Sequence, residues 1–330
     1  MRKAIITGTG SFAPARKIPN SYFNELLQED VDTWLKQNVN IHERRWCEEG
    51  ESVADLCEHA ALEALENSKL NASDLDLIIV ATDTPEFISP STAAILQHRL
   101  GAEKAGTFDL NTACAGFVTA FDVAAKYIQA DSQYNNILIV GGYAMSKHLN
   151  MRDKKTVTLF ADGAGAVILS ARESNNGQGF ITSKLYTKGE YNEWMGIYSG
   201  GTRHPVNQDV IAANDHKLKF VHKFPKELNP EIWTDMIVKM CREMDIEPDD
   251  INQFLVTQLN FNSIDETMDN LGVSREKAHK IMDKYGYTGS ACIPMALHDA
   301  ISKGKIKKGD LIMLVGSGGG LAFASAAIKY

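Results

Sequence analysis

Apolar positions along the chain follow two rhythms, and each predicts one kind of element. The continuous runs LIIVAT (77–82), ILIVGG (137–142) and LIMLVG (311–316) lack the alternation of a half-exposed strand. They predict strands covered on both faces. In ESVADLCEHAALEALENSKL (51–70), FVTAFDVAAKYIQA (117–130) and ELNPEIWTDMIVKMCREMDI (227–246) apolar residues return at helical spacing. These predict helices with one buried stripe. Strands separated by helices need crossover connections, so the expected fold class is α/β, with sheets covered by helices.

The pattern then repeats itself. SDLDLIIVATDT (73–84) is echoed by DDINQFLVTQLN (249–260), and the helix at 51–70 by that at 227–246, at an offset of 176. At the same offset KAIITGTGSF (3–12) faces GFITSKLYTK (179–188), and NTACAGF (111–117) faces YTGSACI (287–293). NNILIVGG (135–142) matches GDLIMLVGSG (309–318) at 174. A repeat of this length predicts two related halves, residues 1–174 and 175–330, packed on one another, with a site where loops of both converge.

Composition narrows the function classes. With 330 residues, 44% of them hydrophobic, the chain can bury a large core. A formal net charge of −8 with only short basic clusters argues against nucleic acid and against an anionic membrane surface as partners. The N-terminal apolar stretch Ala4–Ile6 is too short for a signal peptide, and no run approaches the roughly 20 apolar residues of a membrane helix. The expected location is the cytoplasm. The five cysteines (47, 57, 114, 241 and 292) are scattered, with no C-x-x-C and no Cys/His ligand spacing, so neither a disulfide framework nor a metal site is expected.

Three motifs carry candidate chemistry. GTGSFA (8–13) fits the dinucleotide pattern G-x-G-x-x-A, but Pro14 would fall in the first turn of the helix that receives the pyrophosphate, so a tight glycine turn is the better reading. GSGGG (316–320) ends the last apolar strand and is either a plain turn or a place where backbone N–H groups approach a ligand. Cys114 lies between the apolar stretch ending at Asp109–Asn111 and the helical stretch 117–130. A thiol at a helix N-terminus has its pKa lowered by the dipole and free N–H groups, which makes it a nucleophile; a buried structural cysteine is the alternative.

Taken together, GTGSFAP (8–14), TWLKQNVNIHERR (33–45), DLIIVATDTPEF (76–87), STAAILQHRLGA (91–102), NTACAGF, LFADGAGAVIL (159–169), YGYTGSACIPMAL (285–297) and GKIKKGDLIMLVGSGGGLAFASA (304–326) resemble the thiolase superfamily, specifically beta-ketoacyl-acyl-carrier-protein synthase III. The resemblance implies a five-layered αβαβα fold, a homodimer, and a Cys114 that accepts an acyl group as a thioester. The donor would be coenzyme A or the phosphopantetheine of an acyl-carrier protein, as substrate rather than resident cofactor. It implies oxyanion donors at the backbone N–H of Cys114 and Gly319, and places Phe87 near the dimer interface and acyl pocket.

The resemblance also shows where this chain departs from the family. The Pro-His-Gln-Ala-Asn signature reads VTQLN (256–260), so Thr257 stands at the histidine position while Gln258 and Asn260 match. Tyr287 stands at the position of the asparagine. Both hydroxyls can donate one hydrogen bond, but neither is a base near pH 7. For coenzyme recognition, Trp34 matches the adenine-stacking tryptophan, Asn38 and Asn262 replace two arginines, and Lys154 stands in for a third. His204 and His298 remain as candidate bases. The first reading is therefore an acyltransferase that loads Cys114 and passes the acyl group on without standard decarboxylative condensation. The alternatives are a condensing enzyme of fatty-acid or polyketide synthesis and a non-catalytic partner subunit of an active homologue.

Overall fold

The structure is a computed structural model that describes residues 2–173 and 177–330. In chain order its layer-forming elements are β1 (Arg2–Phe12), α1 (Asp32–Val39), α2 (Val53–Ser68), β2 (Leu77–Ala81), α3 (Thr92–Leu100), β3 (Gly106–Leu110), α4 (Gly116–Ala130), β4 (Asn136–Ala144) and β5 (Asp162–Glu173). There follow β6 (Gly179–Thr187), α5 (Leu228–Met244), β7 (Gln253–Val256), α6 (Phe261–Leu271), α7 (Cys292–Ser302), β8 (Leu311–Gly318) and β9 (Ala322–Lys329). One sheet has the order β1-β5-β4-β2-β3, the other β6-β9-β8-β7. The second order is the first without its last strand, whose place is marked by a single bridge between Phe254 and Ala278. The expected boundary at 174/175 lies outside the described residues.

Layering follows from which faces are apolar. Helices α4 and α7 are buried along most of their length and lie between the two sheets. Helices α2 and α3 cover the outer face of the first sheet, and α5, with α6 packed on it, the outer face of the second. That is an αβαβα stack. The fully buried β2 and the wholly apolar core of β8 are the uninterrupted runs read from sequence. The sequence reading missed β3, β5 and β9. The last two are rich in small residues, alanine and glycine in DGAGAVILSARE and alanine in AFASAAIK, which carry little strand propensity yet let neighbouring layers approach closely.

Glycines mark those close approaches. Gly8 and Gly10 do not form a turn: both lie within β1, where a Cβ would collide with the backbone of α2 at Ala64 and Ala60. GTGSFA is therefore a packing motif, not a nucleotide loop. In the core, Gly141 of β4 lies against the carbonyl of Ser290, just before α7, and Gly316 of β8 lies against Ala115, just before α4. Each sheet thus presses a glycine onto the turn that follows the other sheet's strands.

Candidate active site

The turn that carries Cys114 is built from local sequence. Strand β3 ends at Leu110, and the Asn111 side-chain oxygen accepts the Ala113 N–H at 2.9 Å. Ala113 takes a left-handed conformation (φ 48°), which costs a residue with a Cβ some strain. Ala115 N–H returns to the Thr112 carbonyl at 3.2 Å, and α4 begins at once. Cys114 is thereby fixed at the helix start, buried at 3% exposure. Asp109, also near this turn, is occupied elsewhere: its carboxylate accepts the Thr92 and Ala93 N–H groups at 2.7 and 2.8 Å, at the start of α3.

The glycine turn after β8 meets this turn directly. A Cβ on Gly318 would lie 2.5 Å from the Thr112 carbonyl oxygen and 2.7 Å from the Cys114 nitrogen. Only glycine allows the two backbones to lie so close. Thr257 follows β7, and its hydroxyl accepts the Ser317 N–H at 2.8 Å. The threonine thus holds the base of the glycine turn. Tyr287 is held by two backbone bonds, its N–H to Leu159 O and its carbonyl to Ala161 N–H, both 2.9 Å. Its buried hydroxyl is hydrogen-bonded to the Cys114 thiol.

Burial dominates the thiol's acidity. It raises the Cys114 pKa well above its ordinary value, the nearby Asp83 carboxylate raises it further, and the Tyr287 hydrogen bond offsets only part. The lowering expected from the helix N-terminus is therefore overridden in the free protein, because the sulfur has lost its water. Iodoacetamide labelling of Cys114, followed by peptide mapping, is expected to be slow at pH 7 and to keep rising through pH 9. Labelling that levels off below pH 8 would show a thiolate already formed.

Cys114 sits where two cavities meet. The larger, of about 560 Å³, runs from Trp34 at an exposed mouth to Cys114, Thr257, Tyr287, Gly318 and Gly319 at its floor. Asn260 lines it while capping α6, its side chain accepting the Asn262 N–H at 3.0 Å. Asn38 and Asn262 also line the mouth and are joined to each other, Asn262 Nδ2 donating to the Asn38 carbonyl at 2.8 Å. The same rim carries Lys223 and Lys226, which sequence reasoning missed because the HKFPKE stretch has no periodic pattern.

Five expected site residues lie elsewhere. Gln258 is fully buried and bonded only to backbone: Nε2 to the Val256 and His279 carbonyls at 2.9 and 3.1 Å, Oε1 from the Ile281 N–H at 2.9 Å. It braces the loop beside Thr257 and does not line the cavity. Lys154 is paired with Glu29 at 2.8 Å and does not line the cavity. His298 is held on α7 by Thr9 at 3.1 Å, and His204 lies in an exposed loop beside Tyr198 and Arg203. Among the described residues no histidine lines either cavity. Phe87 is 55% exposed next to Ile88, on the surface and in neither lining.

The smaller cavity, of about 250 Å³, lies on the other side of Cys114. Its walls combine the apolar side chains of Met145, Phe160, Met195, Ile197 and Leu218 with the polar groups of Asp83, Asn111, Asn192, Tyr143 and Tyr198. Among the described residues no cluster of side chains could hold a metal ion, and no helix is long and apolar enough to cross a membrane.

A family profile described as 3-oxoacyl-[acyl-carrier-protein] synthase III matches residues 108–189, and one for its C-terminal part matches 241–330. The beta-ketoacyl-[acyl-carrier-protein] synthase III of Clostridioides difficile is 34% identical over 328 residues, spanning 99% of this chain and 98% of its own. The chain belongs to the 3-oxoacyl-[acyl-carrier-protein] synthase III family. The crystal structure of the synthase III from Aquifex aeolicus superposes with a TM-score of 0.89 at 30% identity, covering 99% of this chain and 100% of that one. The priming beta-ketosynthase of the R1128 polyketide pathway shares the fold at a TM-score of 0.87 and 24% identity, over 99% of this chain and 96% of its own. The thiolase-like α/β fold expected from sequence is thus the fold observed. As a synthase III family member the chain is an enzyme of the acyl-transferring, condensing kind. The relatives' names fit the condensing alternative better than transfer without condensation.

Proposed function

We propose that Cys114 takes an acyl group from a coenzyme A or acyl-carrier-protein thioester and passes it to a carrier-bound malonyl unit, forming a 3-oxoacyl thioester. The observation that carries this reading is the buried thiol at the junction of two cavities, against the Gly318–Gly319 backbone. In the first step the Cys114 sulfur attacks the thioester carbonyl, the donor's carbon–sulfur bond breaks, and the thiol proton leaves with the departing thiol. The N–H groups of Cys114 and Gly319 would hold the oxyanion. Trp34, Asn260 and the lysines of the rim suit a pantetheine arm and its phosphates. The exposed Phe87 and Ile88 support a homodimer in which a second copy covers them.

A second reading is favoured by Thr257 and Tyr287. The Thr257 hydroxyl accepts the Ser317 N–H at 2.8 Å and donates its own hydrogen to the Ser317 carbonyl at 3.4 Å, and the Tyr287 hydroxyl faces the Cys114 sulfur. Neither is a free donor for the enolate that forms when carbon dioxide leaves, which favours transfer to an acceptor other than malonate. The deciding measurement is carbon dioxide release from malonyl-carrier protein by acylated protein, with intact mass reporting the fate of the adduct. Release stoichiometric with loss of the adduct supports condensation. An adduct that persists with malonyl carrier but is discharged by amines or alcohols supports the second reading. Under that reading, Thr257→His alone is expected not to restore release while Tyr287 remains.

A further inference from the structure

The smaller cavity holds a charge that neither reading uses. Asp83 follows β2, and its neighbours are fixed by hydrogen bonds: Thr82 N–H to Leu110 O at 3.1 Å, Thr84 N–H to Thr82 Oγ1 at 3.0 Å, and Ala144 N–H to Thr84 Oγ1 at 2.9 Å. The carboxylate is thus presented on a rigid segment, yet its buried Oδ1 has no hydrogen-bond partner. The remaining walls are aromatic and aliphatic side chains, amides and backbone, and no lysine, arginine or histidine of the described residues lines the cavity. A buried carboxylate without a partner is costly. Burial raises its pKa to about 6, so it is still mostly ionised at neutral pH.

We propose that the cavity behind Cys114 selects an acyl group bearing an ammonium, whose N–H groups pair with Asp83. This inference rests on the reading of Cys114 as the acyl acceptor and adds the class of acyl group it takes. The cavity supplies apolar side chains along part of its wall for a short methylene chain, and one anion to receive its charged end. The pairing also acts on the nucleophile. Asp83 is the leading charge that opposes ionisation of Cys114, and it opposes that of Tyr143 as well. An ammonium beside Asp83 cancels that repulsion when such a substrate is in place. A plain alkyl chain would instead leave Oδ1 unpaired.

The test compares three nearly isosteric donors, 3-aminopropanoyl-, 3-hydroxypropanoyl- and butanoyl-CoA, by the rate of Cys114 acylation read as intact mass. The wild-type protein is expected to react with the amino donor at least about tenfold faster than with butanoyl-CoA, the scale of one charge-assisted hydrogen bond. In Asp83→Asn, which keeps the shape and removes the charge, that preference is expected to fall to parity or reverse. Equal rates with butanoyl-CoA or with the hydroxy donor, or a preference unchanged in Asp83→Asn, overturns the proposal. Binding of n-propylammonium to Cys114→Ala, followed by ligand-observed NMR, separates this inference from the acylation chemistry. Amine binding that needs Asp83, in a protein that no donor acylates, supports the Asp83 site and counts against the thioester reading. No amine binding overturns the Asp83 site.

Discussion

Cys114→Ala is expected to abolish the thioester adduct with every donor and to lower turnover on the order of 10³-fold or more, because no other nucleophile takes the sulfur's place. None of the other four cysteines, all buried, lines either cavity, so none can meet a donor bound there. Removing one sulfur from a well-packed turn costs about 1 kcal/mol of stability, so the variant should fold and the loss should be chemical. Intact mass before and after incubation with acyl-CoA checks this directly. An adduct that survives in Cys114→Ala would move the acyl acceptor to another residue.

Gly318→Ala is expected to slow the reaction by roughly 10²-fold without removing a reacting atom. The added methyl would lie within 2.9 Å of three backbone atoms of the Cys114 turn, and backbone cannot step aside as a flexible side chain does. The strain of such overpacking is about 1–3 kcal/mol, seen as a melting temperature lower by a few degrees. A displacement of the nucleophile by about 1 Å is worth roughly 10²-fold in rate. Gly319→Ala is the matched comparison. Its Cβ would meet Met195 no closer than 3.5 Å, so stability should be nearly unchanged. Equal damage from the two substitutions would show that the close approach at Gly318 is not what sets the geometry.

Much of this was readable in the sequence wherever one strong physical preference decided the outcome. The buried strands β2, β4 and β8 and the helices α2, α4 and α5 follow from hydrophobic rhythm, and the Cys114 turn from small residues between an apolar stretch and a helix. Strands β5 and β9 escaped because alanine and glycine advertise neither rhythm; they are strands because layers must pass close on both sides. The same blindness to packing made Gly8 and Gly10 read as a turn. Among site residues, Trp34, Asn260, Thr257 and Tyr287 do line the Cys114 cavity, but Gln258 and Lys154 find partners closer to hand. Asp83 had a signal that went unused, a carboxylate directly after a continuous apolar run, where a charge must be either capped or functional. The rim lysines had none, since their position depends on a long irregular segment folding back over the mouth.

The glycine contacts between the two sheets bear on how this polypeptide can be divided. The first sheet's Gly141 seats the turn before α7, and the second sheet's Gly316 and Gly318 seat the turn before α4. Each portion of the chain therefore supplies the mould for the other's turn and lacks the mould for its own. A fragment carrying the thiol alone would hold its nucleophile in an unfinished socket. An exchange of one portion for a relative's would have to carry both sides of the contact to keep the sulfur in register.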